Sequence, residues 1–236
     1  MAKQTWKPGN MIYPLPAVMV STADKEGNSN ILTVAWTGTV CTNPPMAYIS
    51  VRPERYSYHM IRESGEFVIN LTTKKLAHAT DYCGVRSGRD VNKWKECRLT
   101  EGSASSLKYA PVIEESPVNI ECKVKSIQEL GSHHMFLAEV TAVQVDESYM
   151  DEKGKFDLNR TGLIAYSHGE YLDLGKKLGT FGYSVRKKQT ARKPKSAGGK
   201  KANAQNAGGK KANAKIAVSR KGAGKKRTTA RRKADR

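Results

Sequence analysis

The 236-residue chain has no apolar run long enough to cross a bilayer, no cysteine pair spaced CxxC, and neither a GxGxxG nor a GxxxxGK[ST] motif. The first absence excludes a membrane-spanning helix, which needs about 20 consecutive apolar residues. The second argues against a zinc ribbon or a thioredoxin-type centre. The four cysteines, Cys41, Cys83, Cys97 and Cys122, are scattered, a usage that fits a reducing cytoplasm. The third argues against a resident Rossmann nicotinamide domain and a P-loop, so any nicotinamide is expected only as a visitor. Met1–Trp6 lacks the continuous apolar stretch of a signal peptide, so no targeting segment is expected.

Acidic residues are nearly missing from one end. Of 41 Lys and Arg, 20 lie in residues 186–236, against a single acid, Asp235, of the 22 Asp and Glu; 21 of each sign remain upstream. The whole +19 formal charge therefore belongs to the C-terminal stretch. That stretch also lacks aromatics and carries Ile216 and Val218 as its only large apolar residues. It cannot bury enough surface to offset chain entropy, so residues 189–236 are expected to be a disordered basic tail. Residues 1–185 form a neutral unit of single-domain length, able to bury a core, and the folded domain is expected to span 1–188.

Within that unit, strand patterns dominate. Ala17–Thr22, Ile31–Val40, Met46–Val51, Glu66–Asn70, Val118–Leu130, Met135–Val145 and Gly162–Ile164 read as strands, and shorter helical pieces fall near 55–63, 73–80 and 90–96. The two long strands flanking Gly131-Ser132-His133-His134 read as a hairpin. Strand and helix do not alternate, which predicts a mainly β barrel with a few short helices.

One stretch, Asn30–Asn70, joins two strand patterns through Asn43-Pro44-Pro45 to a helix start rich in Arg, Ser and Tyr. Proline cannot donate to a ladder, so the pair is expected outside the paired region, in a tight connection or on an edge. After the second strand, Arg52-Pro53-Glu54-Arg55-Tyr56-Ser57 leads into a helix, expected to be capped at its N-terminus. Free N–H groups and the positive end of the helix dipole, beside two arginines and a serine, attract phosphate. Domains that bind nothing also contain a strand, a Pro turn and a helix with surface arginines, so the pattern alone leaves both readings open.

The run AWTGT-C-TNPP-YISVRPERYSY resembles the flavin reductase-like family with an FMN-binding split barrel, particularly its flavoredoxin branch. The likeness continues through GEFVINLTTKKLAHATDYCGVRSGRDVNKW at 65–94, HHMFLAEVTAV at 133–143 and AYSHGEYLDLGKKLGTFGYSVRKK at 165–188. The resemblance implies a split barrel and an FMN cofactor. It places Thr33, Ala35, Trp36, Thr37, Thr39, Cys41 and Thr42 along the ring and ribityl chain, and Ser50, Arg52, Arg55, Tyr56 and Ser57 around the phosphate. The Tyr82-Cys83-Gly84 turn and the Ser87–Lys93 loop, with Cys83 and Lys93, resemble the segment that closes over the cofactor.

Of the adjacent His133 and His134, which point to opposite faces if both lie in a strand, the resemblance selects His134. Tyr166, His168 and Tyr171 match a family stretch that serves either a dimer interface or a substrate pocket. The family also implies a homodimer, with NAD(P)H as a transient donor. The flavin carries the redox chemistry and the polypeptide binds, orients and tunes it, so no catalytic acid or base and no metal site are assigned.

The tail departs from the family pattern, which ends near 184–188. It repeats AGGKKANA at Ala197–Ala204 and Ala207–Ala214 and resembles histone H1-like tails. Such a segment implies sequence-blind, salt-sensitive nucleic-acid binding through residues 189–236, and an alternative in which the barrel merely presents two basic tails. A solubilising extension is the plainer reading.

Overall fold

A computed structural model describes residues 1–186; the tail, with the disorder and nucleic-acid binding expected of it, lies outside the described residues. In chain order the strands are β1 (Leu15–Pro16), β2 (Val18–Ala23), β3 (Ser29–Val34), β4 (Thr37–Thr42) and β5 (Pro45–Val51), followed by helix α1 (Tyr56–Ser64) and β6 (Glu66–Leu71). Helices α2 (Ala77–Val85) and α3 (Lys93–Cys97) precede β7 (Glu101–Gly102), β8 (Val112–Ile113), β9 (Val118–Glu129) and β10 (His134–Val145), and the hairpin β11 (Ile164–Ser167) and β12 (Glu170–Asp173) follows. These elements lie in one compact unit, Met1–Gly179; of a second unit beginning at Thr180, the described part holds a 3₁₀ turn, Tyr183–Val185.

Seven strands form one antiparallel sheet in the order β3-β2-β6-β9-β10-β5-β4. Its two edges, β3 and β4, are consecutive in the chain and joined only by Ala35 and Trp36, so the sheet must curl until its ends meet. The edges are not laddered to each other; instead Ser50 N–H donates to the Trp36 carbonyl at 2.8 Å. The result is a split barrel. Two register shifts in the β9–β10 pairing, at Leu137/Ala138 and Val140/Ala142, accompany its curvature.

Alternate residues of each strand point inward, and the barrel core is Val18, Val20, Leu32, Val34, Ile49, Val51, Phe67, Ile69, Phe136 and Ala138, closed at one end by Tyr58 and Ile61 of α1. The opposite face of β2 and β3 is covered too: Met19 and Ile31 pack with Leu76, Ala79, Cys83 and Trp94 under α2 and α3. Burial on both faces explains why these strands read as continuous apolar runs.

The mainly β expectation holds, with local corrections. Ile31–Val40 is two strands, because the bend at Ala35-Trp36 turns the chain from one edge of the sheet to the other. Pro44 occupies the tight turn as expected, whereas Pro45 lies within the ladder, as the first residue of β5 opposite Thr42; at a strand start its missing N–H costs little. The strand expected at Gly162–Ile164 begins only at Ile164, since Gly162 caps a 3₁₀ turn. The Tyr82-Cys83-Gly84 segment belongs to α2 rather than to a turn.

Candidate functional site

Helix α1 starts where β5 leaves the barrel. Its N-cap is Arg55, in extended conformation, and no side chain caps the first turn. The expected capped N-terminus is therefore absent, and the first N–H groups of α1 keep their positive field facing outward. At the other end Gly65, at φ 71°, donates its N–H to Ile61 and turns the chain directly into β6, a left-handed position that glycine adopts without cost.

A cavity of about 260 Å³ opens at this helix start. Arg52, Arg55, Arg86, Arg89 and Lys93 line it against one acid, Glu54, which is paired with Arg52 at 2.8 Å. Tyr56 and Ser57 come from the first turn of α1, Thr33 and Leu32 from β3, and Cys83 from α2. Asn30 Nδ2 donates to Ser57 Oγ at 2.8 Å, leaving the serine proton free to point elsewhere. Arg55 Nη1 donates to the Gly84 carbonyl at 3.1 Å, which ties the guanidinium to the last turn of α2. Arg89 lies over the Tyr56 ring, and Gly88 beside them has no room for a side chain: a Cβ would stand 2.3 Å from Asn30 Oδ1.

Lys93 is almost fully buried, at 3% exposure. Its ammonium donates to the Ile31 carbonyl at 2.7 Å and the Cys83 carbonyl at 2.8 Å, and among the described residues no carboxylate is paired with it. Burial above all, with the nearby Arg55 charge adding to it, lowers its pKa to about 8. The lysine is a buried cation in the wall of a cationic cavity, and it gives up its proton more readily than an exposed lysine.

A second cavity, about 450 Å³, shares Leu32, Thr33, Arg52, Arg55 and Val85 with the first, so the two are contiguous. One wall is the bend, Ala35 and Trp36, with Ser50; the His133 ring lies against Trp36, tilted by 39° at 4.3 Å between ring centroids. Burial, together with Arg52, lowers the His133 pKa and favours the neutral ring. The facing wall carries Tyr13, Tyr166 and Tyr171, the last two on the β11–β12 hairpin. That hairpin turns through His168 and Gly169, both at positive φ, and the Tyr13 ring lies against His168, tilted, at 4.6 Å between centroids. Burial, with Asp81 beside it, pushes the Tyr171 phenol up to about 12, so it remains a neutral donor.

Of the residues expected at a cofactor, the structure gathers Thr33, Ala35, Trp36, Ser50, Arg52, Arg55, Tyr56, Ser57, Cys83 and Lys93 around the two cavities. It does not bring Thr37, Thr39, Cys41 or Thr42 there: Thr37 Oγ1 donates to the Tyr48 carbonyl at 2.6 Å, and β4 runs away toward the Pro44 turn. The histidine at the cavity is His133 rather than His134, whose Nδ1 lies 2.7 Å from the Tyr58 hydroxyl. His133 precedes β10, so the strand alternation that separated the two residues does not apply to it. Asn30, Arg86, Tyr13 and Asp81 went unread. Asn30 left one signal, a polar residue in an otherwise apolar strand pattern.

The incompletely closed barrel and its elongated, cation-headed cleft define a split-barrel protein whose site lies outside the barrel core, between β3, the starts of α1 and α3, and the β11–β12 hairpin. Residues 11–175 match the flavin reductase like domain, and the chain belongs to that family. A flavoredoxin of Desulfovibrio vulgaris (Miyazaki F) superposes with a TM-score of 0.72 at 29% identity, covering 78% of this chain and all of that one. A flavoredoxin from Methanosarcina acetivorans gives 0.71 at 29% identity, covering 79% of this chain and all of that one. An uncharacterised protein of Archaeoglobus fulgidus is 30% identical over 160 residues, 67% of this chain and 87% of its own length.

Proposed function

We propose that this chain is an FMN-binding flavoprotein of flavin reductase/flavoredoxin type, carrying electrons or hydride through its bound flavin. The observation that carries the reading is the pairing of two adjoining cavities: a cationic one at an uncapped helix start and one lined by aromatic side chains beside it. Together they fall within the roughly 300–1,000 Å³ usual for cofactor sites. The fit is chemical as well as spatial. Five cations against one acid suit a phosphate dianion, and the wall of Trp36, Ala35 and the facing tyrosines suits a planar ring.

When bound, FMN supplies reversible hydride and single-electron transfer at its ring. The protein's part is to bind and orient. Ser57, Arg55 and the α1 N–H groups hold the phosphate, with Lys93 and Arg89 adding charge. Trp36, fixed by His133 and by the Ser50 N–H on its carbonyl, supports one side of the ring cavity. Tyr171, a neutral phenol whose proton is engaged by Asp81, presents its ring and an acceptor oxygen to that space without itself ionising. The tyrosine wall and the β11–β12 hairpin limit what approaches from the other side.

Titrating the flavin-free protein with FMN while following tryptophan fluorescence tests the assignment, since Trp36 lines the cavity. Saturable quenching at one FMN per chain supports it, whereas an unresponsive signal together with no retained flavin on gel filtration overturns it.

The same reading includes a visiting NAD(P)H donor, supported by membership of the flavin reductase like family and tested by turnover of free flavin. It includes a homodimer, supported by exposed apolar side chains such as Leu172 and Leu174 and tested by light scattering. It also includes a reducing, cytoplasmic setting, supported by four unpaired cysteines. Among the described residues no helix is long and apolar enough to cross a membrane. Finally, the charge of residues 189–236 supports sequence-blind binding of nucleic acid as an addition to the flavin role; the barrel as a mere scaffold for tails has no support.

A further inference from the structure

Behind the phosphate end of the cleft lies a pair of cysteines that the flavin reading leaves unused. Cys83, in the last turns of α2, and Cys97, the last residue of α3, face each other with their sulfurs 3.9 Å apart. Cys83 is buried and its residue lines the cationic cavity, while Cys97 is partly exposed. We propose that Cys83 and Cys97 are a reversible dithiol/disulfide site set into the wall of the cofactor cavity.

The sulfurs need to close by somewhat less than 2 Å to reach the bond length of about 2.05 Å. The part that can move is short. Helix α3 has five residues, follows the Arg86–Asn92 loop, and ends at Arg98 in left-handed conformation, so a small shift of α3 toward α2 requires no rearrangement of the barrel. The interior beside it is also imperfectly satisfied: Trp94 of α3, 6% exposed, has no partner for its indole N–H. The remaining cysteines have no such neighbour. Cys41 is on edge strand β4, and Cys122 is buried in the barrel with its sulfur near the Ile120 carbonyl.

The oxidant is a low-molecular-weight disulfide such as oxidised glutathione. Cys97, the exposed member, attacks it as thiolate, forming a mixed disulfide and releasing one glutathione thiolate. Cys83 then attacks the Cys97 sulfur, forming the intramolecular bond and expelling the second glutathione thiolate. Two S–H bonds are lost and two glutathione thiols are produced, so protons and electrons balance. Excess thiol reverses both steps. Burial holds both thiols toward the neutral form; Cys97 pushes Cys83 further up, whereas the hydrogen bond with Cys83 draws Cys97 partly back down, so the exchange is slow at neutral pH and the reduced pair resists casual alkylation. The new bond would draw in α3, whose first residue, Lys93, donates to the Cys83 carbonyl at 2.8 Å, and so act on the cavity wall.

The inference stands on the sulfur geometry and does not depend on which cofactor occupies the cleft. Full-length protein is incubated with oxidised glutathione at pH 8, free thiols are blocked, and peptides are mapped by mass spectrometry with and without later reduction. The expected result is a peptide pair linked through Cys83 and Cys97, lighter by two hydrogens, and restored by dithiothreitol, with Cys41 and Cys122 unlinked. Cys97→Ser abolishes the link without creating another; because Cys97 is partly exposed, this variant is expected to fold, which its far-UV circular dichroism checks. A glutathione adduct persisting on Cys97 beside a free Cys83, a link through Cys41, or two fully alkylatable thiols after prolonged oxidation would each overturn the proposal. FMN retention, measured separately on the oxidised and reduced forms, is expected to differ; equal retention with the link formed would overturn its coupling to the cavity.

Discussion

At the scale of single residues the site depends on charge placed without neutralising partners. Arg55 is anchored to a carbonyl rather than a carboxylate, so its charge remains available to a ligand. Arg55→Ala is expected to weaken FMN retention by about 10–100-fold, the equivalent of the roughly 1.5–3 kcal/mol of a charge-assisted hydrogen bond, with circular dichroism unchanged; unaltered retention would remove Arg55 from the phosphate site.

Lys93 offers a second test. Its folded pKa of about 8 lies below the ordinary 10.5, so between those values the unfolded chain binds more protons and stability must rise with pH. Burying the charge costs on the order of 3 kcal/mol below this window, and the cost is relieved across it. Urea unfolding from pH 7.5 to 10.5 should show this rise in the wild type and lose it in Lys93→Met; parallel curves would contradict the charged, buried lysine.

Such residues were legible as chemistry and not as positions. The Arg52–Ser57 run read as a candidate anion site because Arg, Ser and a helix start each suit phosphate, and the structure places these residues around one cavity. Nothing local indicated that Lys93, some forty residues further on, would turn inward against Ile31 and Cys83. The same holds for Asn30, whose partner Ser57 lies 27 residues away.

At the scale of elements, strands were readable where alternation or continuous apolar runs persisted, and the β9–β10 hairpin stood out through its turn. The bend at Ala35-Trp36 was not readable, because Thr, Val and Trp favour strand on both sides of it and only closure of the sheet forces the break. That unread bend forms one wall of the larger cavity. The resemblance selected His134, whereas His133, just before β10, is the histidine that lines the larger cavity.

Some elements are held by buried polar groups instead of regular pairing. The Glu121 carboxylate, fully buried on β9, accepts from the backbone and hydroxyls of Ser105 and Ser106 and from Gln144 Nε2, pinning the loop before β8. Burial opposes the charge, but these hydrogen bonds outweigh it and hold the carboxyl down at about 2. The folded pKa lies below the ordinary 4.5, so this stabilisation is present above pH 4.5 and is lost as pH falls toward 2. Glu121→Gln, which keeps shape but removes the charge, should destabilise the protein by about 2–3 kcal/mol at pH 7 and flatten its acid dependence. A variant with wild-type stability at pH 7 would show that the loop does not depend on the carboxylate.

At the scale of the whole molecule, the chain divides into a neutral part that carries the fold and a basic part that carries the net charge. Mainly β architecture could be read from composition and pattern alone. The split in the barrel and its strand order were not in the pattern: the split came only from the family resemblance, because strand order is a long-range property that local pattern does not encode. Deleting residues 189–236 is expected to leave the flavin spectrum and thermal midpoint unchanged while abolishing binding to duplex DNA at low salt; for the full chain that binding should fall steeply with added salt and be indifferent to base sequence. Retained DNA binding after the deletion would place it on the barrel.

The central claim, that the cleft between β3, α1 and the β11–β12 hairpin holds FMN, is tested most directly by the visible absorption spectrum of the purified full-length protein, with chemical identification of any flavin released on denaturation. A stoichiometric flavin spectrum, with FMN released, is the predicted result. A colourless protein that also fails to acquire colour when incubated with FMN and passed through gel filtration would contradict it.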